Sequence, residues 1–465
     1  MRVSTSQIFD SGYRGIGGNQ FDLFKLQNHL STGRRMLAPE DDPVAAAQAL
    51  VVTQSQSVNS QYLTNQADAK DRLGVLDGQL QSLNNLLQHV RERVVQAGNT
   101  TLTGADRSYI ADELESRFAE LLGLANGQDA TGNYLFSGYQ GTLKPFAQTT
   151  TGANYQGDEG VRLLQVEASR DMPTNISGIE LFSRIMNGNG TFQTSASGNV
   201  LPVPAPPAVG AVNTPPNLGT AIIDQGSVRD VTAWNAALAA TTALAIPATT
   251  PQQYRDLELR FSINNTVTPP VTEYNVFAID KVANTSAQLN AAPLPYTPGQ
   301  AISLSGLTTT PADLGISVSI SGNPADGDSF RLSPSVNQDV FTTLRNTINT
   351  IRTGVAPELN AAGTVIGGIS SIEYSNRLAG NLQNLSNALE NVNRMQSTVG
   401  ARLHELDALS NTGEDKKLQY STSLSALQDL DYTKAISDLT RKQMQLEAAQ
   451  ISFKQTSQLS LFSIL

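Results

Sequence analysis

The feature that most constrains this chain is a three-and-four spacing of apolar residues toward each of its ends. Leu73, Leu76, Leu80, Leu83, Leu87, Val90 and Val94 follow it on the N-terminal side. Leu378, Leu382, Leu385, Leu389, Val392, Gln396, Val399, Leu403 and Leu406 follow it on the C-terminal side. On a helix of about 3.6 residues per turn, such steps return side chains to one face, so each run is a seam that another helix must cover. The C-terminal register continues through Ser410, Gly413 and Lys417 before it reaches Tyr420, Leu424 and Leu427. Glycine costs a helix about 1 kcal/mol relative to alanine, so a local loosening is expected at Gly413.

Capping chemistry sets the helix limits. Asp42 before Pro43 is a start signal: the carboxylate accepts from free backbone N–H groups, and proline at the first helical position loses no bond. Asp41 beside it is read as solvated. Gly33 can take the left-handed conformation that ends a helix. The expected helices cover residues 5–32, 43–98, 106–126, 376–429 and 432–463. The third carries Ile110, Leu114, Phe118, Leu121 and Ala125 on one face. The lengths match in pairs, outer with outer and inner with inner, as in a chain that rises along one end and returns antiparallel along the other. Gly15, Gly17 and Gly18 lack the spacing and the preceding strand of a phosphate cradle, and are read as flexible points between short helical turns.

The middle has a different grammar. Of the 21 prolines, 16 lie between Pro202 and Pro334, among Thr, Val and Gly. Alternating runs such as Ile316, Ser317, Val318, Ser319, Ile320, and YNVFAID at residues 274–280, put apolar side chains on one face of a pleated strand. Tyr134, Phe136, Tyr139, Phe146 and Tyr155 are expected to pack a β-hairpin onto the bundle. The fold class is therefore α plus β and multidomain, a long antiparallel helical bundle formed by both ends with a β-rich inserted middle. Its expected parts are a polymerising region of residues 1–42 with 430–465, a bundle domain of residues 43–186 with 340–429, and a β-rich variable surface domain of residues 187–339.

The outermost helices carry more apolar surface than two helices bury by themselves. Ile8, Phe9, Tyr13, Ile16, Phe24 and Leu30 mark one end; Leu446, Phe453, Leu459, Leu461, Phe462, Ile464 and Leu465 mark the other. These side chains are the candidate subunit contacts, since an apolar face without a partner in its own chain implies one from another chain. The competing reading folds both helices back onto the inner bundle.

Catalysis is not expected. The three histidines, His29, His89 and His404, are scattered without a second ligand at metal spacing, and there is no cysteine for thiol chemistry, a zinc site or a disulfide. No catalytic, metal-binding or cofactor-binding residue is assigned. A net charge of −10 without a basic stripe argues against nucleic acid. No run of 18 apolar residues suggests membrane insertion, and residues 1–10 lack the apolar core of a cleaved leader.

Several segments together resemble a known family. LSTGRRMLAPEDDPVAAAQAL at residues 30–50 is similar to the N-terminal signature of bacterial flagellins and their relatives. The start MRVSTSQIF, the prolines Pro39 and Pro43 bracketing the Asp pair, NYLFSGYQGTLKPF at residues 133–146, YQGD at 155–158, DYTKAISDL at 431–439 and the ending SLFSIL resemble the hook-associated protein 3 family of the hook-filament junction. The likeness covers residues 1–182 and 371–465. It implies a secreted structural subunit of the extracellular flagellum, forming an annular layer of its own copies between a hook-side junction protein and flagellin. It also implies type III export with a cytoplasmic chaperone on the C-terminal end, and outer helices that order on assembly. A flagellin filament subunit is the alternative, and a secreted adhesin or carbohydrate-binding protein a third.

Overall fold

A computed structural model describes residues 5–199, 216–239, 255–282, 285–307, 312–359 and 365–462. The helices are α1 (Thr5–Thr32), α2 (Pro43–Ala97), α3 (Gly104–Ala125), α4 (Val231–Ala239), α5 (Val340–Thr353), α6 (Ser371–Gln428) and α7 (Tyr432–Phe462). The expected pairing of lengths holds: α1 and α7 have 28 and 31 residues, α2 and α6 have 55 and 58.

The strands are β1 (Phe146–Gln148), β2 (Ala153–Tyr155), β3 (Leu163–Glu167), β4 (Arg170–Pro173), β5 (Phe192–Asn199), β6 (Ile222–Ile223), β7 (Ser227–Val228), β8 (Arg255–Asn264), β9 (Val271–Asp280), β10 (Thr285–Gln288), β11 (Leu294–Pro295), β12 (Ala301–Ser303), β13 (Ile316–Ser321), β14 (Asp328–Pro334), β15 (Ala356–Leu359) and β16 (Val365–Ile369). Two compact units divide these elements. One comprises residues 1–69, 165–172 and 404–465, the other residues 70–164 and 173–403.

In the larger unit, the predicted seam is a core. Leu73, Leu76, Leu80, Leu83, Leu87, Val90 and Val94 are buried, as are Leu378, Leu385, Val392 and Val399 of α6. Each such side chain is worth about 1.5–3 kcal/mol on burial. α3 begins with a capping box: Asp106 N–H donates to Thr103 Oγ1 at 3.2 Å, and Thr103 N–H donates to the Asp106 carboxylate at 3.0 Å. Its predicted face of Ile110, Leu114, Phe118, Leu121 and Ala125 is buried against α5. Helix α5 lies in a stretch where no helix was expected. Asp339 caps it, accepting from Thr342 N–H at 2.7 Å, and Arg345 ties it to Glu115 of α3 at 2.8 Å. The β1–β2 hairpin is where expected. Phe146 of β1 packs on Tyr155 at 5.1 Å and, with Phe136, Phe182 and Phe341, forms a buried aromatic cluster. Tyr139, expected to join them, is two-thirds exposed.

The middle is β-rich, as predicted, with both quoted alternating runs forming strands, β9 and β13. One antiparallel sheet has the order β10-β9-β8-β14-β5, with β11 also on β9; a second has β12-β13-β6, with β7 also on β13. Alternation drives one core between them: Leu257, Leu259 and Phe261 of β8, Val276 of β9 and Phe330 of β14 meet Ile316, Val318 and Ile320 of β13. Helix α4 adds Trp234 to that core. The reverse face of β8 and β14 is charged and still buried. Glu258 accepts from Arg260 at 2.7 Å and Arg331 at 3.2 Å, and the Arg260 guanidinium lies 4.1 Å over the Phe277 ring. Burial raises the Asp256 carboxyl above its usual range, against the pull of Lys281 at 2.7 Å.

Two glycine readings need correction. Helix α6 runs unbroken through Gly413. Asn59 Nδ2 of α2 donates to Gly413 O at 2.8 Å, and a Cβ there would sit 2.7 Å from Leu63 Cδ2. This glycine permits close approach of two helices instead of loosening one. Helix α1 is likewise continuous across Gly15, Gly17 and Gly18, because pairing with α7 outweighs their poor helix propensity.

Candidate assembly surface

The smaller unit contains the outer helices and the adjoining turns of α2 and α6. α1 and α7 pack antiparallel, with Phe9 against Phe453 near one end and Asp22 bonded to Lys442 at 2.7 Å further along. The contacting side follows heptad steps on each helix. On α1 it is Phe9, Gly12, Ile16, Asn19, Leu23, Leu26 and Leu30, all half-buried. On α7 it is Ala435, Leu439, Lys442, Leu446, Ala449 and Phe453. The seam is narrow and includes glycine, two alanines, Asn19 and Lys442, so it covers only one stripe of each helix.

The rest of the apolar surface stays in solvent. Tyr13, Phe21 and Phe24 of α1 are 76%, 68% and 61% exposed. Ile436, Met444 and Ile451 of α7 are each more than half exposed. At about 100° per residue, each trio falls within a sector of about 80°. Of the sequence candidates, the structure therefore brings Phe9, Ile16, Leu30, Leu446 and Phe453 into the seam and leaves Tyr13 and Phe24 outward. The side chains of Ile8, Leu459, Leu461 and Phe462, and all of Ile464 and Leu465, lie outside the described residues. Phe21, Ile436, Met444 and Ile451, which are not among the sequence candidates, share that outward sector. Their common angle around each helix is the sequence signal that marks them. A further exposed series, Val44, Val51 and Val58, repeats every seven residues along α2.

The connectors between outer and inner helices are laced to each other. Arg35 N–H donates to Gln428 O at 2.8 Å, Leu430 N–H donates to Gly33 O at 2.9 Å, and the Arg35 guanidinium donates to Leu427 O at 3.0 Å. Gly33 has φ +69°, as its role at the helix end requires, and a Cβ there would lie 2.8 Å from the Tyr432 hydroxyl. His29 Nδ1 donates to Arg34 O at 2.7 Å, since a carbonyl can only accept. Asp42 caps α2 as expected, accepting from Ala45 N–H at 3.0 Å, and Asp431 caps α7 through Lys434 N–H at 3.1 Å.

Asp41 is not the solvated residue that was expected. Its side chain is 10% exposed, pairs with Lys25 Nζ at 2.5 Å, and accepts from the N–H groups of Leu37 and Ala38 at 2.9 and 3.1 Å. The bond from Lys25, then those from the backbone, hold its carboxyl well below the usual carboxylate range. The Asp pair thus serves two structural ends, one closing the loop and one opening the helix.

In the same unit, the β3–β4 turn is braced on α2 and α6. Gln66 donates to Val166 O at 2.8 Å and Lys416 pairs with Glu167 at 3.0 Å. Among the described residues, no group of three or more His, Cys, Asp or Glu is placed to hold a metal ion, and no helix is long and apolar enough to cross a membrane. His89 Nε2 donates to Glu113 Oε1 at 2.9 Å in a half-buried contact.

Comparison with known proteins gives this geometry a context. Residues 3–141 match the family described as the bacterial flagellin N-terminal helical region. The flagellar hook-associated protein 3 of Escherichia coli is 34% identical over 216 residues, which cover 46% of this chain and 68% of that protein. Its namesake from Salmonella typhimurium is 36% identical over 185 residues, covering 40% of this chain and 58% of that one. Among solved structures, the flagellar junction protein FlgL of Legionella pneumophila aligns with a TM-score of 0.60 at 26% identity, covering 82% of this chain and all of that one.

Proposed function

The chain belongs to the flagellar hook-associated protein 3 family, structural subunits of the hook-filament junction, and we propose that it fills this role by assembling with its own copies through the α1–α7 pair. The observation that carries the reading is the outward sector of Tyr13, Phe21, Phe24, Ile436, Met444 and Ile451, which no element of the described chain covers. Burying one such side chain yields about 1.5–3 kcal/mol, so six of them supply a substantial driving force for association.

On this reading, residues 1–42 with 430–465 polymerise, the inner helices hold the monomer, and residues 187–339 face outward. The contact partners are further copies in an annular layer, a hook-side junction protein on one side and flagellin on the other. A non-enzymatic role fits the structural relatives. Export in an unfolded state, with a chaperone on the C-terminal helix, suits a helix whose apolar face would otherwise be free to associate. The outer helices gain most of their order on assembly, because isolated helices are marginal and ordering entropy is offset only when neighbours bury the stripe.

A strain lacking the chain tests the junction role. Bare hooks with flagellin shed into the medium are expected; normal filaments would rule the role out. The same strain given a chain without residues 432–465 should gain no incorporated subunit, whereas assembly of that truncated chain into flagella would overturn the assignment to α1 and α7. Long filaments grown from the purified chain alone would favour flagellin instead.

A further inference from the structure

The larger unit holds an open, polar cleft of about 460 Å³ between β5, α5 and α6. Local periodicity builds its walls. Alternation along β5 sets Gln193 and Ser195 on one side. On α5, Asn346, Asn349, Thr350 and Thr353 share the face opposite the buried Leu344, Ile348 and Ile351. On α6, Arg377, Gly380, Asn381 and Asn384 repeat the same spacing. Gly380 keeps that wall low: a Cβ there would find only Gln225 Nε2, at 3.9 Å.

Some of the lining is held in place by the protein. Asn376 accepts from Ile223 N–H at 3.1 Å and donates to Ala221 O at 3.4 Å, and Asn384 Oδ1 accepts from Gly188 N–H at 2.9 Å. The rest is free to bond elsewhere. Among the described residues, none bonds to the side chains of Gln193, Ser195, Asn346 or Asn349, which line the cleft from two of its walls.

This chemistry selects the ligand. Among the described residues that line the cleft there is no Asp, Glu, Lys or aromatic side chain. A cation would find no carboxylate. An anion would find one guanidinium, Arg377, which already donates to Glu373 at 2.6 Å, set among amide oxygens that repel negative charge. An apolar molecule would leave the amides and hydroxyls unpaired. Each amide presents donors and an acceptor side by side, and a ligand hydroxyl likewise both donates and accepts. A cavity of about 150 Å³ takes a benzene ring, so about three times that volume takes a six-membered ring with its hydroxyls, or two joined rings. We infer that the cleft between β5, α5 and α6 is a binding site for a neutral saccharide, held by the free amides of Gln193, Asn346 and Asn349.

Saturation-transfer difference NMR on the full-length chain tests this, with D-glucose, D-galactose, N-acetylglucosamine and maltose as probes. Transfer to the ring protons of at least one probe is expected. A dextran arm separates the sources: transfer from dextran as well as glucose supports a site for a polysaccharide end, and transfer from glucose alone supports a site for a free sugar. Two variants locate the signal. Asn346→Ala with Asn349→Ala removes two unpartnered amides from an exposed helix face and installs the best helix former, so circular dichroism should match the wild type. Gly380→Leu also improves its helix while filling the cleft. Transfer should fall at least tenfold in both. The inference is overturned if no probe receives saturation from the wild type, or if transfer is undiminished in both variants. Displacement of the sugar by sulfate would overturn it too, by making the cleft an anion site around Arg377.

Discussion

Gly413→Ala sets two effects of opposite sign against each other on α6. Replacing glycine inside a helix stabilises by about 1 kcal/mol when the new methyl meets only solvent. Here the methyl would lie 2.7 Å from Leu63 Cδ2 and 3.3 Å from Leu63 Cγ. Overpacking of this kind costs about 1–3 kcal/mol. The helices cannot simply draw apart, because the 2.8 Å bond from Asn59 Nδ2 to Gly413 O is buried, and losing it costs about 1 kcal/mol more. Gly413→Ala is therefore expected to be about 0–2 kcal/mol less stable than the wild type. In a Leu63→Ala background the obstructing atoms are gone, and the same substitution should stabilise by about 1 kcal/mol. The coupling between the two sites is then about 1–3 kcal/mol, within the range for residues in contact. Urea unfolding of the full chain should be followed by hydrogen exchange of the peptides containing Leu63 and Gly413, since two units need not share one transition. An equal effect in both backgrounds would refute the close-approach reading and restore a glycine that merely weakens its helix.

Three other expectations follow from single contacts. Gly33→Ala forces a side chain into the left-handed region and against the Tyr432 hydroxyl, so a loss of at least about 1–2 kcal/mol is expected in denaturant melts of the smaller unit; no change would mean the connector relaxes freely. Asp41 is depressed in the folded chain, so its stabilisation is complete above the ordinary value of about 3.9 and is lost as pH falls toward its folded value. Pepsin cleavage at Leu37 should therefore begin at a higher pH in Asp41→Asn than in the wild type, and identical onset would remove Asp41 from the connector's stability. Arg260→Ala leaves Glu258, whose side chain is only 2% exposed, with Arg331 at 3.2 Å as its remaining arginine partner, and should cost about 1.5–3 kcal/mol in urea unfolding of the larger unit, the worth of a hydrogen bond to a charged group; no measurable loss would show that Arg331 alone suffices.

The helices were legible because a single signal, period with caps, specifies them. Leu73 to Val94 lie in the core the spacing demanded, as do Leu378, Leu385, Leu389, Val392 and Val399, while Leu382 and Gln396 of the same run are only half-buried; Asp42, Pro43 and Gly33 act as their types suggest. The misreadings share a different cause. Gly413, Gly15 and Asp41 were judged by local propensity, yet each is decided by a group distant in sequence or carried by another element: Leu63, helix α7 and Lys25. The middle offered alternation enough to announce strands such as β9 and β13, but strand order depends on pairings like β14 with β5 that no local pattern encodes. Helix α5 was missed because its buried face includes Thr343, Thr347 and Thr350, polar residues that mask the helical period.

The assembly surface was half legible for a physical reason that bears on its function. An apolar residue list says how much surface must be covered, whereas angle around the helix says by whom. Sorted that way, α1 divides its apolar residues between a seam facing α7 and a sector facing no part of the described chain. The seam is weak: Gly12, Asn19, Ala435, Ala449 and Lys442 occupy positions where a self-sufficient coiled coil would place Leu or Ile. Larger residues there would strengthen the pair within one chain. On α1 the aromatic side chains Tyr13, Phe21 and Phe24 stand outward instead, where no element of the described chain covers them. On the proposed assembly, a pair built this way would gain more from its neighbours than from itself, and that distribution of energy would let a chain remain single until it meets the end of a growing structure.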